Sequence, residues 1–393
     1  MKKLLTFLLF VTMVVCSLMF TACGASSGGH HHQFNIDNGY VDGNGIIYRQ
    51  WNCDCGESKL YKAGKGYFVT PETAQDVLDG KYGPLSGKTI IFSAGEYGDL
   101  EFGRATSYEG GETVYCGTQN EILKDLEDIS VMTWGSKYYT RSIKNLKVIA
   151  NEGVSVASLS AFSGHVKGVG YDYVINKEFN GSGYFLSHQF ENVTFKGINF
   201  TGRVDFSTSQ GTSLFKDEVV LETTSIDGLN FIDCSFTTGG IESSNGAGLS
   251  IYSEMSGNNE VIKNVVVEKC NFVNSYQGIY THHVNSVTVK NSTFDTTGHN
   301  AIAIQNHGDK TFGHGIIIID NNMFNNIGDR IIRFNLLDAE SITITNNVAT
   351  NSGDDDLQVI KATSIEDGIE FVVNSNDWGE GRVVANAQFE DAE

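Results

Sequence analysis

Eight polar or aromatic side chains recur at one place in the second half of the chain: Tyr252, Tyr280, His282, Gln305, Arg333, Asn335, Gln358 and Lys361. Each falls in or beside a short alternating stretch, "GLSIY", "GIYTH", "AIAIQ", "RIIRF" or "LQVIK". In a strand, successive side chains point to opposite faces. Leu249 and Ile251, Ile279 and Thr281, Ile302 and Ile304, Ile332 and Phe334, and Leu357 and Val359 therefore face a core. The other phase, with Ser250 and Ala303, faces outward. Aromatic rings stack on the C–H faces of sugars, amides bond hydroxyls, and cations suit a carboxylate-bearing glycan. Tyr252, Tyr280, Gln305, Asn335 and Gln358 are thus the expected binding residues. Arg333 is the first candidate for moving a proton, with His282 and Lys361 behind it. An Arg that removes protons at neutral pH needs a strongly perturbed environment. The same mixture is also what an ordinary solvated sheet face carries.

Three other groupings bear on metal binding. Asp354, Asp355 and Asp356, in "GDDD", offer the hard oxygen donors that Ca²⁺ takes, or form a solvated acidic turn. "CDC" at 53–55 has no second Cys/His pair at zinc-like spacing. "HHH" at 30–32 reads as part of a flexible segment with adventitious metal affinity. His165, His188 and "KDEVVLE" at 216–222 have no chemical reading.

These candidates can share a face only if a repeat positions them. A second alternating stretch precedes each of the first, as in "VVVE", "VTVK", "IIII" and "ITIT", and an aromatic column follows it: Phe200, Phe236, Phe272, Phe294, Phe324 and Val348. Successive members lie 22 to 36 residues apart, the shorter gap being the unit and the longer ones carrying loops. Two places earlier stand Ile198, Cys234, Cys270, Ser292, Asn322 and Asn346. One unit of short strands cannot bury its own apolar face; stacking units about 4.8 Å apart does. Val, Ile, Thr, Phe and Asn dominate here, and 44 Gly beside 2 Pro suit many tight turns. The chain is read as all-β.

The repeat resembles the single-stranded right-handed parallel β-helix of pectin and pectate lyases, over about residues 144–373. That resemblance implies Phe stacked inside the coil and Asn at its turns. It implies an acidic-polysaccharide lyase or binding protein, with an Arg or Lys base and Ca²⁺ or a cation on the uronate carboxylate. "GHG" at 313–315 and "GDRIIR" at 328–333 are similar to polygalacturonase motifs. The carboxylate pair that inverting hydrolysis needs is missing upstream. A short N-terminal helical cap is expected from "TPETAQDVLDG", with Thr70 as cap, Ala74, Val77 and Leu78 on one face, and Gly80 as stop. "EILKDLEDI", 121–129, is a second helix candidate, and 104–143 reads as an inserted loop region.

Net charge is −20, which argues against nucleic acid as partner. Residues 1–22 carry two Lys and an apolar run from Leu4 to Phe20, too short to span a membrane, as export signals do. Thr21-Ala22-Cys23 resembles the end of bacterial lipoprotein signal peptides. This implies lipid on Cys23 and a membrane-anchored protein at the cell surface or facing the periplasm. Residues 23–33 are then a tether, 34–143 the cap and first coils, and 144–393 the parallel β-helix. Beyond Cys16 and Cys23, five Cys remain, an odd number. Two functions stay open: a carbohydrate-active or glycan-binding protein, and a non-catalytic adhesin or structural surface protein.

Overall fold

The structure is a computed structural model of the 393-residue chain. It describes residues 32–78, 82–102, 105–109, 112–115, 139–162, 164–167, 170–172, 177–179, 182–208, 226–253, 262–306, 314–335, 338–351, 359–380, 384 and 386–390. They fall into two units, one containing residues up to 38 and 50–60, the other residues 39–49 and 61–393.

The larger unit is a parallel β-helix. Its first ladder runs from Gly66–Val69 through Thr89–Phe92, Lys147–Ala150, Ser182–Lys196, Ile226–Ile232, Ile262–Glu268, Val287–Lys290, His314–Asp320 and Ala339–Thr345 to Glu370–Asn374, every pairing parallel. The second ladder stacks Asn199–Phe200, Ser235–Thr237, Asn271–Ser275, Thr293–Thr297, Met323–Ile327 and Val348–Thr350. The third stacks Val204–Thr208, Ala247–Ser253, Gln277–His282, Ile302–Gln305, Ile332–Asn335 and Ile360–Ala362. Strand Val154–Phe162 joins the last two, pairing first with Asn199–Phe200 and then with Val204–Ser207.

Side chains of equivalent residues stack because parallel register repeats them at every coil. Phe200, Phe236, Phe272, Phe294 and Phe324 form a buried column, with ring centroids 5.2, 4.5, 4.7 and 5.1 Å apart. The column ends differently from the expectation. Phe324 pairs with Ala349, while Val348 pairs with Met323 on the exposed side. The alignment slips by one residue at the double Asn of "TNNVA". Asn347, and not Asn346, continues the column of Ser292 and Asn322. A one-residue slip in a strand exchanges its faces, and the buried amide decides the register. Asn322 N–H donates to Asn347 Oδ1 at 3.0 Å, and Asn347 Nδ2 donates to Ile319 O at 2.9 Å.

The residue before that buried column turns the corner between ladders. Gly197, Asp233, Lys269, Asn291, Asn321, Asn346 and Ser375 all sit at φ between 53 and 69°. Among residues with a Cβ, Asn tolerates this region best, so Asn marks the corner. Asn321 Nδ2 donates to Asn291 Oδ1 one coil below, at 2.7 Å.

Both ends of the coil are covered. Helix Ala74–Leu78 buries Ala74, Val77 and Leu78 in the core. Gln75 bonds both backbone groups of Glu101, accepting at 3.0 Å and donating at 2.7 Å, and so protects a strand edge. The Thr70 hydroxyl donates to Glu72 at 2.6 Å, and its carbonyl accepts from Thr73 and Ala74 N–H. Gly80 and residues 121–129 lie outside the described residues. Within 104–143, Ala105–Glu109 and Glu112–Tyr115 form an antiparallel hairpin. At the other end Phe389 is fully buried and stacks on Phe334 at 5.5 Å. Cys234 and Cys270 stack as buried thiols. Hydrogen bonding to Cys234, then burial, pushes the Cys270 thiol up. Among the described residues, no helix is long and apolar enough to cross a membrane.

Candidate functional site

The third ladder presents two outward columns. One runs Glu101, Ser160, Asp205, Ser250, Tyr280, Ala303, Arg333, Lys361. The other contains Tyr252, His282, Gln305 and Asn335. The face is polar along the coil axis, with carboxylates at one end and cations at the other. Seven of the eight side chains read from the sequence are therefore brought onto one surface. Gln358 lies outside the described residues, as do Asp354, Asp355, Asp356 and Cys23.

Within the first column Ala303 is fully covered although it points outward. It lies between Tyr280 and Arg333 of the neighbouring coils. Burial raises the Tyr280 phenol; nearby Tyr252 adds to the rise and Arg333 opposes it. Arg333 and Lys361 are half-buried, in adjacent coils.

The second column differs from the expectation in exposure. Alternation turns His282 toward solvent, but only 3% of it is exposed. Its ring lies on Tyr252 at 4.6 Å and beside His283 at 4.1 Å. The next coil contributes Gln305, itself 8% exposed. Flat side chains at the strand spacing cover one another's faces, so an outward phase does not guarantee accessibility. Buried between its neighbours, His282 is a wall of the face rather than a base that a polymer could meet. Asn335 is engaged on both sides: Thr363 donates to its Oδ1 at 2.5 Å, and its Nδ2 donates to Asn306 O at 3.1 Å. The accessible part of the second column is chiefly Tyr252 and the rim of Asn335.

One corner of the face carries groups that the strand phasing did not identify. Tyr276, His299 and Asp329 stack at the turn before the third-ladder strands: His299 N–H donates to Tyr276 O at 2.8 Å, and Asp329 N–H to His299 O at 3.2 Å. The His299 ring lies 5.1 Å from Tyr276, and its Nε2 is 3.3 Å from Asp329 Oδ2. Arg330 Nη1 donates to the same carboxylate oxygen at 2.6 Å. Burial lowers the His299 pKa; Asp329 raises it, while Arg333 and Arg330 lower it further. The imidazole is thus biased toward neutrality. Extending the alignment two residues upstream, across "SYQG", "GHNA" and "GDRI", would have revealed this stack.

Asp205 and Asp329 belong to coils four steps apart, about 19 Å at the parallel-strand spacing. The acid and base of an inverting glycosidase stand about 6.5–9.5 Å apart. Asp329 is also held by Arg330 and His299. Arg333 carries a planar guanidinium whose fork of N–H donors fits a carboxylate clamp.

No family model and no curated protein matches the chain. Among solved structures it is similar to the crystal structure of PfbA, a surface adhesin of Streptococcus pneumoniae. The identity is 10% and the TM-score 0.22, over 77% of this chain and 88% of that one. Likeness at this level carries no functional argument; the fold rests on the strand register above.

Proposed function

We propose that this is an exported, surface-anchored β-helix of the pectin lyase-like type that binds an acidic glycan without turning it over. The observation that carries the reading is the column Tyr280–Ala303–Arg333–Lys361, which sets a half-buried aromatic and two half-buried cations on one outward face. A uronate ring would stack against the exposed part of Tyr280, with its carboxylate toward Arg333. Lys361 would take the next charge along the chain, one coil on. Tyr252 and Asn335 would line the side, and Glu101 and Asp205 would repel the same chain at the far end, which sets its extent. Lipid on Cys23 would hold the protein to a membrane, and Ca²⁺ would be an accessory ion at the acidic turn Asp354–Asp356. The adhesin-like reading is preferred over a lyase because His282 is buried and Arg333 would have to lose its proton.

The test is binding and turnover measured on the same panel of acidic and neutral polysaccharides, with and without Ca²⁺. Saturable binding to acidic glycans, weakened by salt, with no rise in unsaturated-uronate absorbance or reducing ends, is the expected result. A rise in absorbance that Arg333→Ala abolishes would replace binding with lyase chemistry. Indifference to every glycan would leave a structural surface protein.

A further inference from the structure

We propose that the smaller unit contains a zinc site formed by Cys53, Cys55 and His32. The sequence offers "CDC" without a zinc-spaced partner and a histidine run without a fold. The structure joins them: one ligand atom from each of His32, Cys53 and Cys55 lies within 4.8 Å of the others.

The local chain explains why the two sulfurs converge. Gly56 N–H donates to Cys53 O at 2.8 Å, and Cys53 N–H donates to Glu57 O at 2.7 Å, closing a hairpin turn. Gly56 takes φ of +87°, the left-handed position that such a turn needs. Gln50 and Asn52 tie to Ser58 across the hairpin, at 3.1 and 2.8 Å. Phe34 brings the preceding segment in: the His32 ring packs on it at 5.9 Å, and Lys59 lies over it at 5.7 Å.

The donor set and its surroundings suit a borderline-soft ion. His32 Nδ1 is 3.3 Å from Cys55 Sγ. Zinc–sulfur and zinc–nitrogen bonds of about 2.3 and 2.0–2.1 Å set a tetrahedral S···N edge of about 3.6 Å. His32 Nε2 lies 3.4 Å from Glu57 Oε2. A carboxylate on the far ring nitrogen fixes the tautomer and turns the Nδ1 lone pair toward the sulfurs, a common support for metal-bound imidazole. Both cysteines are thiols; Cys53 is buried and Cys55 exposed, so an ion would enter from the Cys55 side. Binding one Zn²⁺ displaces two protons, one from each thiol, and leaves a fourth position for water or an exogenous ligand.

The experiment uses the full chain, reduced and freed of metal, titrated with Co²⁺ and then Zn²⁺. One equivalent of Co²⁺ should give a thiolate-to-cobalt charge-transfer band that Zn²⁺ abolishes, and two thiols should become protected from alkylation. Cys53→Ser or Cys55→Ser should remove the band. His32→Ala should weaken binding at least tenfold, and Glu57→Gln by about 10- to 100-fold. His30→Gln with His31→Gln should change nothing. Three outcomes overturn the proposal: binding that survives Cys53→Ser/Cys55→Ser, binding lost with His30 and His31 alone, or a Cys53–Cys55 disulfide in protein isolated without reductant. Circular dichroism of each variant checks that the β-helix is unaltered.

Discussion

Replacing Asn347 by leucine or by serine separates two accounts of what sets the coil register. Asn347 is fully buried, and leucine has the same branching, with two bulkier methyls in place of the amide oxygen and nitrogen. On hydrophobic grounds alone leucine gains about 2 kcal/mol of apolar burial, and serine leaves a gap. The hydrogen bonds argue the opposite. Leucine strands the Asn322 N–H, which donates to Asn347 Oδ1 at 3.0 Å, and a buried orphan costs about 1–3 kcal/mol. It also removes bonds to Asn322 Nδ2 at 3.1 Å, Ile319 O at 2.9 Å and Asn376 Oδ1 at 2.9 Å, about 1 kcal/mol each. Against the burial gain, the net loss is about 2–4 kcal/mol. Serine already performs the essential role two coils earlier in the same column. Ser292 Oγ accepts from Cys270 N–H at 3.1 Å and donates to Lys290 O at 3.0 Å. Asn347→Ser should keep the Asn322 amide satisfied by the same geometry; with three bonds lost and one regained it should lose about 2 kcal/mol. Denaturant midpoints give the order, and hydrogen exchange at the Asn322 amide locates the effect in that coil. A leucine variant as stable as the serine variant, or more so, would refute the claim that buried amides hold the register.

Arg333→Ala should weaken acidic-glycan binding about 10- to 100-fold, the loss of a charge-assisted contact, with an unchanged melting temperature; isothermal titration measures it. His299 has a lowered pKa in the fold, so the protein holds its proton less tightly than the unfolded chain. Its contribution is complete above an unfolded pKa of about 6.5 and is lost as pH falls through the folded value. His299→Gln should flatten that limb of the melting-temperature profile. Tyr280 is raised, so its contribution is complete below about pH 10 and is lost as pH rises through its folded value. Ultraviolet titration should show a late phenol that disappears in Tyr280→Phe.

The coil is legible because a parallel stack repeats its side chains in register, so one column of Phe and one of Asn are visible as periods. Where two Asn adjoin at 346 and 347, the letter pattern fits either register. Only the hydrogen bonds of the buried amide choose between them. That is why Val348 fits the core column as a letter and lies instead beside Met323. The end caps are half legible: the helix face at Ala74, Val77 and Leu78 follows from its spacing, whereas the Gln75–Glu101 pair joins residues with no shared pattern.

The face shows a different limit. Alternation correctly separates inward from outward residues, yet outward does not mean reachable. His282 lies between the rings of Tyr252 and His283 with Gln305 in the next coil; the strand spacing sets flat side chains of successive coils face to face, as with the 4.6 Å between Tyr252 and His282, and each shields the next. Ala303 points outward yet is fully covered, between the Tyr280 below and the Arg333 above it. The same stacking that makes the fold easy to read therefore hides its aromatic and amide side chains from ligands. On such a face the accessible chemistry collects on long side chains that reach past the stack, such as Arg333 and Lys361, and at a corner such as His299–Asp329–Arg330. The acidic end at Glu101 and Asp205 and the basic end at Arg333 and Lys361 then give any bound chain a direction along the coil axis.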